Sequence, residues 1–335
     1  MKILSIETSC DDTGIAVLDE KSGKFSVLSN IVSSQQIHQN YGGVFPAMAT
    51  REHQRNLVPV LIKALTESKL LKEKDKAVVV DDENLKEIFK KEPELYTFTK
   101  SFLEKYDKPA VDIIAVTYGP GLEPCLWTGV NFTRALSYIW EIPIVPINHI
   151  EGHILVNYLE NPKIDFPALS LVVSGGHTQL IFMKKIGNYE IIGETRDDAA
   201  GECFDKCAKM LNLGYPGGPI IAKHAEGIKE SKVKLPRPMM NTKDYDFSFS
   251  GLKTAVLYSV KENKLTDNYI REMCFEVQQS IIDVLLKKTI QAAKDFKVKT
   301  IILGGGVSAN KELRKQLGEK ITLETPTVKY IIPDA

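Results

Sequence analysis

The chain has 335 residues, with 43 Lys and Arg set against 43 Asp and Glu. That length allows two domains of ordinary size, each with its own core. The zero formal charge argues against a protein that coats nucleic acid non-specifically, though not against a local basic patch.

No apolar stretch approaches the roughly 20 residues of a membrane helix. The opening "MKILSIETSCDDTG" lacks the h-region and cleavage site of a secretory signal, so a cytoplasmic protein with no membrane partner is expected. Cys10, Cys125, Cys203, Cys207 and Cys274 are scattered, odd in number and not in CxxC form, which suits reduced thiols. Cys203 and Cys207 have helical spacing and could chelate zinc. Without a second pair, small buried side chains are the favoured reading.

In chain order, "KILSIE" alternates apolar and polar residues, "GIAVLD" follows a glycine, and "KSGK" makes a hairpin turn before "FSVLSNIVSS". Three short strands are expected. "FPAMATREHQRNLVPVLIKALTES" has apolar residues at helical spacing, with Leu57, Val60, Leu61 and Ala64 on one side. From Leu70 to Lys108 the chain becomes rich in Lys and Glu, which reads as an exposed insertion of solvated surface helices. "AVDIIAVTYGPG" is a strand ending in a Gly-Pro-Gly turn, followed by a helix in "LWTGVNFTRALSYIWE". "IPIVPINHIEGHILVNYLE" is then a strand running into a helix. The polar break "NPKIDFP" reads as a boundary between domains 1–163 and 164–335.

Beyond it, "ALSLVVSGGHTQLIFMKKIGNYEIIGETRDD" repeats the opening pattern of strand, polar turn, strand, turn, strand, helix. Helices are expected in "GECFDKCAKMLNLG" and "DNYIREMCFEVQQSIIDVLLKKTIQAAKDF", and a buried strand in "KTIILGGG" opens into "VSANKELRKQLGEK". Two halves that each begin with antiparallel strands and continue as βαβ predict a duplicated α/β architecture. The cleft between the halves would be the natural place for a ligand.

Five segments carry candidate chemistry. "ETSCDDTG" is a hairpin tip with Ser9, Asp11, Asp12 and Thr13, able to hold phosphate or magnesium, though an ordinary Asp-rich turn has the same composition. "VVSGGHTQL" repeats that device, and Ser174, Gly175 and Gly176 place no side-chain bulk against a ligand. "LGGGVSANKELR" sets three glycines between a strand and a helix N-terminus, a general site for an anion or nucleotide. It has neither GxGxxG order nor a P-loop. "DDAAGECFDKCAKMLNLGYPGGP" gathers acids at a helix start, where they serve as caps, or, for Asp205, as acceptors for ligand hydroxyls.

In "HIEGH", His149 and His153 stand four apart and share a helix face, so they can share a metal. A helix cap plus a packing histidine fits the same spacing. Glu151 is about 200° round the helix from His149, at about 100° per residue, and is not placed as the base of an HExxH protease.

Taken together and in order, "IETSCDDTGIAV", "GGVFPAMATREH", "TYGPGL", "NHIEGH", "VVSGGHTQL", "DDAAGECFDK", "YPGGP", "FSFSGLKTAV" and "GGGVSANKELR" resemble the TsaD family. These are tRNA N6-adenosine threonylcarbamoyltransferases, formerly described as O-sialoglycoprotein endopeptidases, and the match is to the bacterial and organellar type. The resemblance implies an actin-like, duplicated two-domain α/β fold with a ligand cleft. It implies one divalent metal ion per subunit, Fe2+ or Zn2+, on His149 and His153. Val172, Val173, Ser174, Gly175, Gly176, Asp205, Gly218 and Asn310 would contact the adenylate or its threonylcarbamoyl group. Asp11 and Ser9 would face the phosphate and the reacting carbonyl. The family's third metal ligand is an aspartate in a "TDNAA" segment, whereas this chain stops at "YIIPDA", where Asp334 does not match. A truncated second domain that holds metal weakly is therefore expected. The insertion at about 70–108 is longer than in the family.

The implied reaction moves the threonylcarbamoyl group from threonylcarbamoyl-AMP to N6 of adenosine 37 in tRNAs reading ANN codons, with accessory proteins of the TsaB and TsaE type. Arg51, Arg55, Lys206 and Lys209 are candidate contacts for tRNA. Two rivals remain: a small-molecule kinase of the actin-like class, and a non-catalytic nucleotide-binding scaffold.

Overall fold

The computed structural model describes residues 1–40, 43–76, 78–160 and 163–333. Gly42 of the "GGVFPAMATREH" stretch, Asn161 and Pro162 of the polar break, and Asp334 lie outside the described residues. The chain divides into two units, Met1–Gly152 and the chain from His153 onward. The division falls inside a helix, ahead of the boundary at 163 read from the sequence.

The first unit opens with the expected meander of β1 (Lys2–Glu7), β2 (Asp12–Lys21) and β3 (Lys24–Ser34). Ser22 and Gly23 both have positive φ, 53° and 78°, the two-residue geometry whose twist matches that of paired strands. Next come α1 (Pro46–Glu67), α2 (Glu83–Ile88), α3 (Pro93–Lys105), β4 (Ile113–Gly119), α4 (Glu123–Trp140) and β5 (Ile144–Asn148). The sheet order is β3-β2-β1-β4-β5. The first two pairings are antiparallel, and β1–β4 and β4–β5 are parallel. Leu57, Val60, Leu61 and Ala64 of α1 are buried as the periodicity predicts, in one core with Leu4, Ile6, Ile15, Val17 and Phe132.

The insertion differs from the solvated helices expected of it. Leu95, Phe102 and Leu103 of α3 are buried in this same core, with Leu85 and Phe89. The Lys and Glu residues occupy the outer face of α3, and an apolar stripe at helical spacing anchors it against α1.

The second unit continues α5 (His149–Glu160) with β6 (Ala168–Val173), β7 (Thr178–Lys185), β8 (Asn188–Glu194), α6 (Ala200–Met210), α7 (Gly217–Ala225), α8 (Ser250–Glu262), α9 (Asp267–Asp295), β9 (Thr300–Gly304), α10 (Lys311–Glu324) and β10 (Lys329–Ile331). Its sheet order, β8-β7-β6-β9-β10, repeats the first sheet strand for strand. The directions repeat too: β6–β7 and β7–β8 are antiparallel, β6–β9 and β9–β10 parallel. The duplication is real at the level of topology. β6 is buried along its whole length, which explains why "ALSLVV" is nearly all apolar rather than alternating.

Three elements of this unit were not foreseen: α7, α8 and β10. Both helices start without a side-chain cap of their own and borrow one from another segment. Asp205 Oδ1 accepts from Gly217 N at 2.7 Å. Asp197 accepts from Phe249 N at 2.8 Å and Ser250 N at 3.2 Å, and from the hydroxyls of Ser248 and Ser250, both at 2.6 Å. Such caps are invisible to rules that look only a few residues ahead.

Candidate functional site

In the first unit the parallel strands β1, β4 and β5 all end on one edge of the sheet, the edge where ligands bind in open α/β folds. β1 ends at Glu7, β4 at Thr117–Gly119, and β5 runs directly into α5 at His149. The tip between β1 and β2, residues 8–11, sits at this edge and is fastened by α4. The Thr8 hydroxyl donates to Cys125 O at 2.9 Å, and Leu122 N donates to Ser9 O at 2.8 Å. Gly129 allows this approach, since a Cβ there would lie 2.3 Å from Thr8 Oγ1.

Glu7 was not singled out in the sequence, yet it organises this edge. Its carboxylate accepts from Thr117 Oγ1 at 2.6 Å and from Ser9 N, and lies 3.2 Å from Nδ1 of His149. Burial alone would raise its pKa. The bonds from His149, Ser9 and Thr117 outweigh burial and bring it down to about 2. Ser9 Oγ also lies 3.2 Å from His149 Nδ1. An ionised carboxylate only accepts, so Nδ1 carries a proton toward Glu7. A carboxylate behind one ring nitrogen, with the other presented as a ligand atom, is the usual second shell of a metal-bound histidine. His149 therefore has the carboxylate partner that a metal-bound histidine needs.

α5 is capped by Asn148, whose Oδ1 accepts from Ile150 N at 2.9 Å and Glu151 N at 3.2 Å. His149 and His153 stand one turn apart on this helix. In the second unit the His153 carbonyl lies against Gly304, where an added Cβ would come within 2.6 Å of it. His153 therefore belongs at the end of β9, where the glycine-rich turn begins. Among the described residues no group of three His, Cys, Asp or Glu is placed to hold a metal ion.

The second unit's own tip is a tight turn. Ser174 N donates to His177 O at 2.8 Å, and His177 N donates to Ser174 Oγ at 3.1 Å. Gly201 N, at the start of α6, donates to Ser174 O at 3.2 Å. Among the described residues nothing lies within 4 Å of where a Cβ would stand on Gly175 or Gly176, so a ligand can approach the backbone there. The Val172 and Val173 side chains are fully buried in β6, so these residues can meet a ligand through backbone atoms only. Asp205 caps α7 beside Gly218, in the first turn of that helix. Asn310 caps α10, accepting from Glu312 N and Leu313 N at 3.0 Å, and donates to Gln278 Oε1 at 2.9 Å. Both residues thus hold helix starts in addition to any ligand role.

The other candidates resolve simply. All five cysteines are free thiols. Cys203 and Cys207 are buried 3.9 Å apart, and their mutual contact together with burial keeps the Cys203 thiol protonated. Arg51 and Arg55 pair with Glu94 of the insertion at 3.6 and 3.2 Å. Lys206 pairs with Asp198 and Glu202 at 2.7 and 2.8 Å. No helix among the described residues is long and apolar enough to cross a membrane.

A model of the family described as TsaD, tRNA N6-adenosine threonylcarbamoyltransferase, matches residues 26–81 and 97–335. The chain belongs to the TsaD family. A member from Thermosipho africanus (strain TCF52B), named tRNA N6-adenosine threonylcarbamoyltransferase, is 42% identical over 334 residues, 99% of this chain and 88% of that protein. Another of the same name from Persephonella marina (strain DSM 14350 / EX-H1) is 43% identical over 324 residues, 95% of this chain and 81% of that one. Full-length HypF, solved in its phosphate- and nucleotide-bound form, has a TM-score of 0.55 at 10% identity, covering 99% of this chain and 52% of HypF. That likeness concerns the fold alone, which is the actin-like, duplicated α/β type. The TsaD match begins at residue 26 and skips residues 82–96, which include α2 and the start of α3, so the insertion is one place where this chain departs from the family model.

Proposed function

We propose that this protein transfers the threonylcarbamoyl group of threonylcarbamoyl-AMP to N6 of adenosine 37 in tRNAs reading ANN codons. The observation that carries the reading is 42% identity, over 99% of the chain, to a tRNA N6-adenosine threonylcarbamoyltransferase.

The chemistry asks mainly for positioning. The donor is a mixed anhydride with AMP as a good leaving group, and the exocyclic amine is a poor nucleophile because its lone pair is delocalised into the ring. Holding the amine in line with a polarised carbonyl is worth more here than generating a strong base. Glu7 fixes the ring of His149, and Ser9 beside it faces the reacting carbonyl. Asp11, at the same tip, takes the amine proton as the new C–N bond forms. The backbone of Ser174, Gly175 and Gly176 offers an approach for the adenylate, with Gly218 and the cap residues Asp205 and Asn310 completing its contacts. Fe2+ or Zn2+ bound by His149 and His153 would supply Lewis acidity at the carbamoyl carbonyl.

The tRNA is held by basic side chains. The ion pairs of Arg51, Arg55 and Lys206 are partly exposed and weakened by solvent screening, so a phosphate can displace them. TsaB-type and TsaE-type proteins are the proposed partners, and the cytoplasm the proposed compartment.

A kinase of the same fold would need no Glu7–His149 pair. The test supplies the protein and its accessory proteins with threonylcarbamoyl-AMP and two tRNA transcripts, one with adenosine at position 37 and one with guanosine. Transfer to the first alone is expected. Transfer to neither, with ADP released from ATP and a small hydroxy compound, would replace this reading with the kinase.

A further inference from the structure

His53 is buried on α1, remote in sequence from the tip that carries Ser9 and Asp11, and its two ring nitrogens engage that tip and the start of β2. Nε2 lies 2.9 Å from the Cys10 carbonyl oxygen, and Nδ1 lies 2.8 Å from Thr13 Oγ1. A carbonyl only accepts, so Nε2 carries the proton; Nδ1 is then the acceptor, and the Thr13 hydroxyl donates to it. Burial lowers the imidazole's pKa, which favours the neutral ring this arrangement requires.

The clamp completes a pattern along the tip. Three consecutive carbonyls, those of Ser9, Cys10 and Asp11, are each drawn to a donor outside the tip: Leu122 N at 2.8 Å, His53 Nε2 at 2.9 Å and Gln35 N at 3.2 Å. The first and third donors are backbone groups. The middle one is a side chain, and it alone of the three also reaches forward to the start of β2 through Thr13. Gln35 is braced in turn by Ala49 O on α1 at 3.1 Å and by the buried His38 at 2.8 Å. α1 therefore reaches the tip twice, and His53 is the direct contact.

We propose that His53 is a positioning residue for the transfer reaction: by bridging the Cys10 carbonyl and the Thr13 hydroxyl it fixes the tip on which Ser9 and Asp11 meet the substrate. The inference rests on the function proposed above. Displacing a reacting group by about 1 Å costs on the order of 100-fold in rate, and a loosened tip acts on the chemical step more than on tRNA binding.

The test uses full-length protein with its accessory proteins and four variants. Thr13→Val is nearly isosteric and deletes the hydroxyl; Thr13→Ser restores it; His53→Ala deletes the clamp; His53→Gln keeps a donor for the Cys10 carbonyl. Amide hydrogen exchange at residues 9–12 and steady-state transfer kinetics are measured on each, with thermal unfolding as the check on folding. The expected result is faster exchange at the tip in Thr13→Val and His53→Ala. Their kcat should fall 10- to 100-fold with KM for tRNA within twofold of wild type, and Thr13→Ser and His53→Gln should recover much of it. Faster exchange with unchanged kcat in an active protein would overturn the positioning role. So would unchanged exchange in both deletion variants, or a loss of kcat that neither conservative variant recovers. Wild-type protein that exchanges slowly at the tip but transfers nothing overturns the functional reading, and the role of His53 in transfer falls with it.

Discussion

Glu7 ends a strand that is plain in the sequence, yet its role appears only through a partner 142 residues away in the chain. That His149 and His153 stand one turn apart on a helix was legible from spacing. The carboxylate behind His149 was not, because it arrives from a different strand of the sheet. One clue was available: parallel strands of one sheet end on the same edge, so a Glu ending β1 and a His following β5, with only β4 between the two strands, are candidates for contact. Replacing Glu7 with Gln should weaken Zn2+ binding 10- to 100-fold, the usual cost of losing a second-shell partner. Competition with a chromogenic chelator measures this without recourse to activity, and an unchanged affinity would show that Glu7 does not support a metal-bound His149. At the second unit's own tip, Gly176→Ala places a methyl group where, among the described residues, nothing lies within 4 Å. The variant should fold normally and lose affinity for the adenylate at least tenfold in calorimetric titration. Wild-type affinity would remove that backbone from the ligand site.

At the scale of elements, α1, α4, α5, α6 and α9 were legible because each has a long apolar stripe or a clear start. α7 and α8 were not, since residues distant in sequence supply their caps. Asp197 serves α8 through two backbone and two hydroxyl donors. Burial pulls its pKa up, the four bonds outweigh burial, and the folded value lies below 3.8. The unfolded chain therefore binds the proton more readily. Asp197 contributes its stability fully above about pH 4 and loses it as pH falls through the lowered folded value. Asp197→Asn keeps an acceptor for the Phe249 and Ser250 amides but loses the oxygen that takes both serine hydroxyls, so it should cost about 0.5–1 kcal/mol at pH 7, the usual net worth of a hydrogen bond. Urea midpoints of variant and wild type should converge toward pH 2, and a gap that stays constant with pH would contradict this role.

The insertion teaches the opposite lesson. Its charge suggested a solvated appendage, while Leu95 is fully buried against the first unit's core. Leu95→Ala should destabilise the protein by about 2–5 kcal/mol, as cavity-forming substitutions do. A loss below 0.5 kcal/mol in urea unfolding would mean that α3 is not part of the cooperative core.

Over the whole molecule, the duplication was visible because both halves repeat strand, turn, strand, turn, strand before their parallel strands, and the two sheets share one order and one set of directions. What each half does with that frame differs by residues: a carboxylate and a histidine at the first tip's edge, glycines and borrowed caps at the second. The edge strand β10 escaped notice because three residues carry too little pattern to read. The proposed function requires that this frame deliver an activated carbamate to an adenine amine of tRNA. Its most direct measurement is mass spectrometry of the nucleosides from an ANN-reading tRNA incubated with the protein, its accessory proteins, Fe2+ or Zn2+ and threonylcarbamoyl-AMP. The expected product is an adenosine heavier by one threonylcarbamoyl group, lost when His149 and His153 are both changed to Ala. Unmodified adenosine with the wild-type protein, under conditions where a relative of the same family completes the reaction, would contradict it.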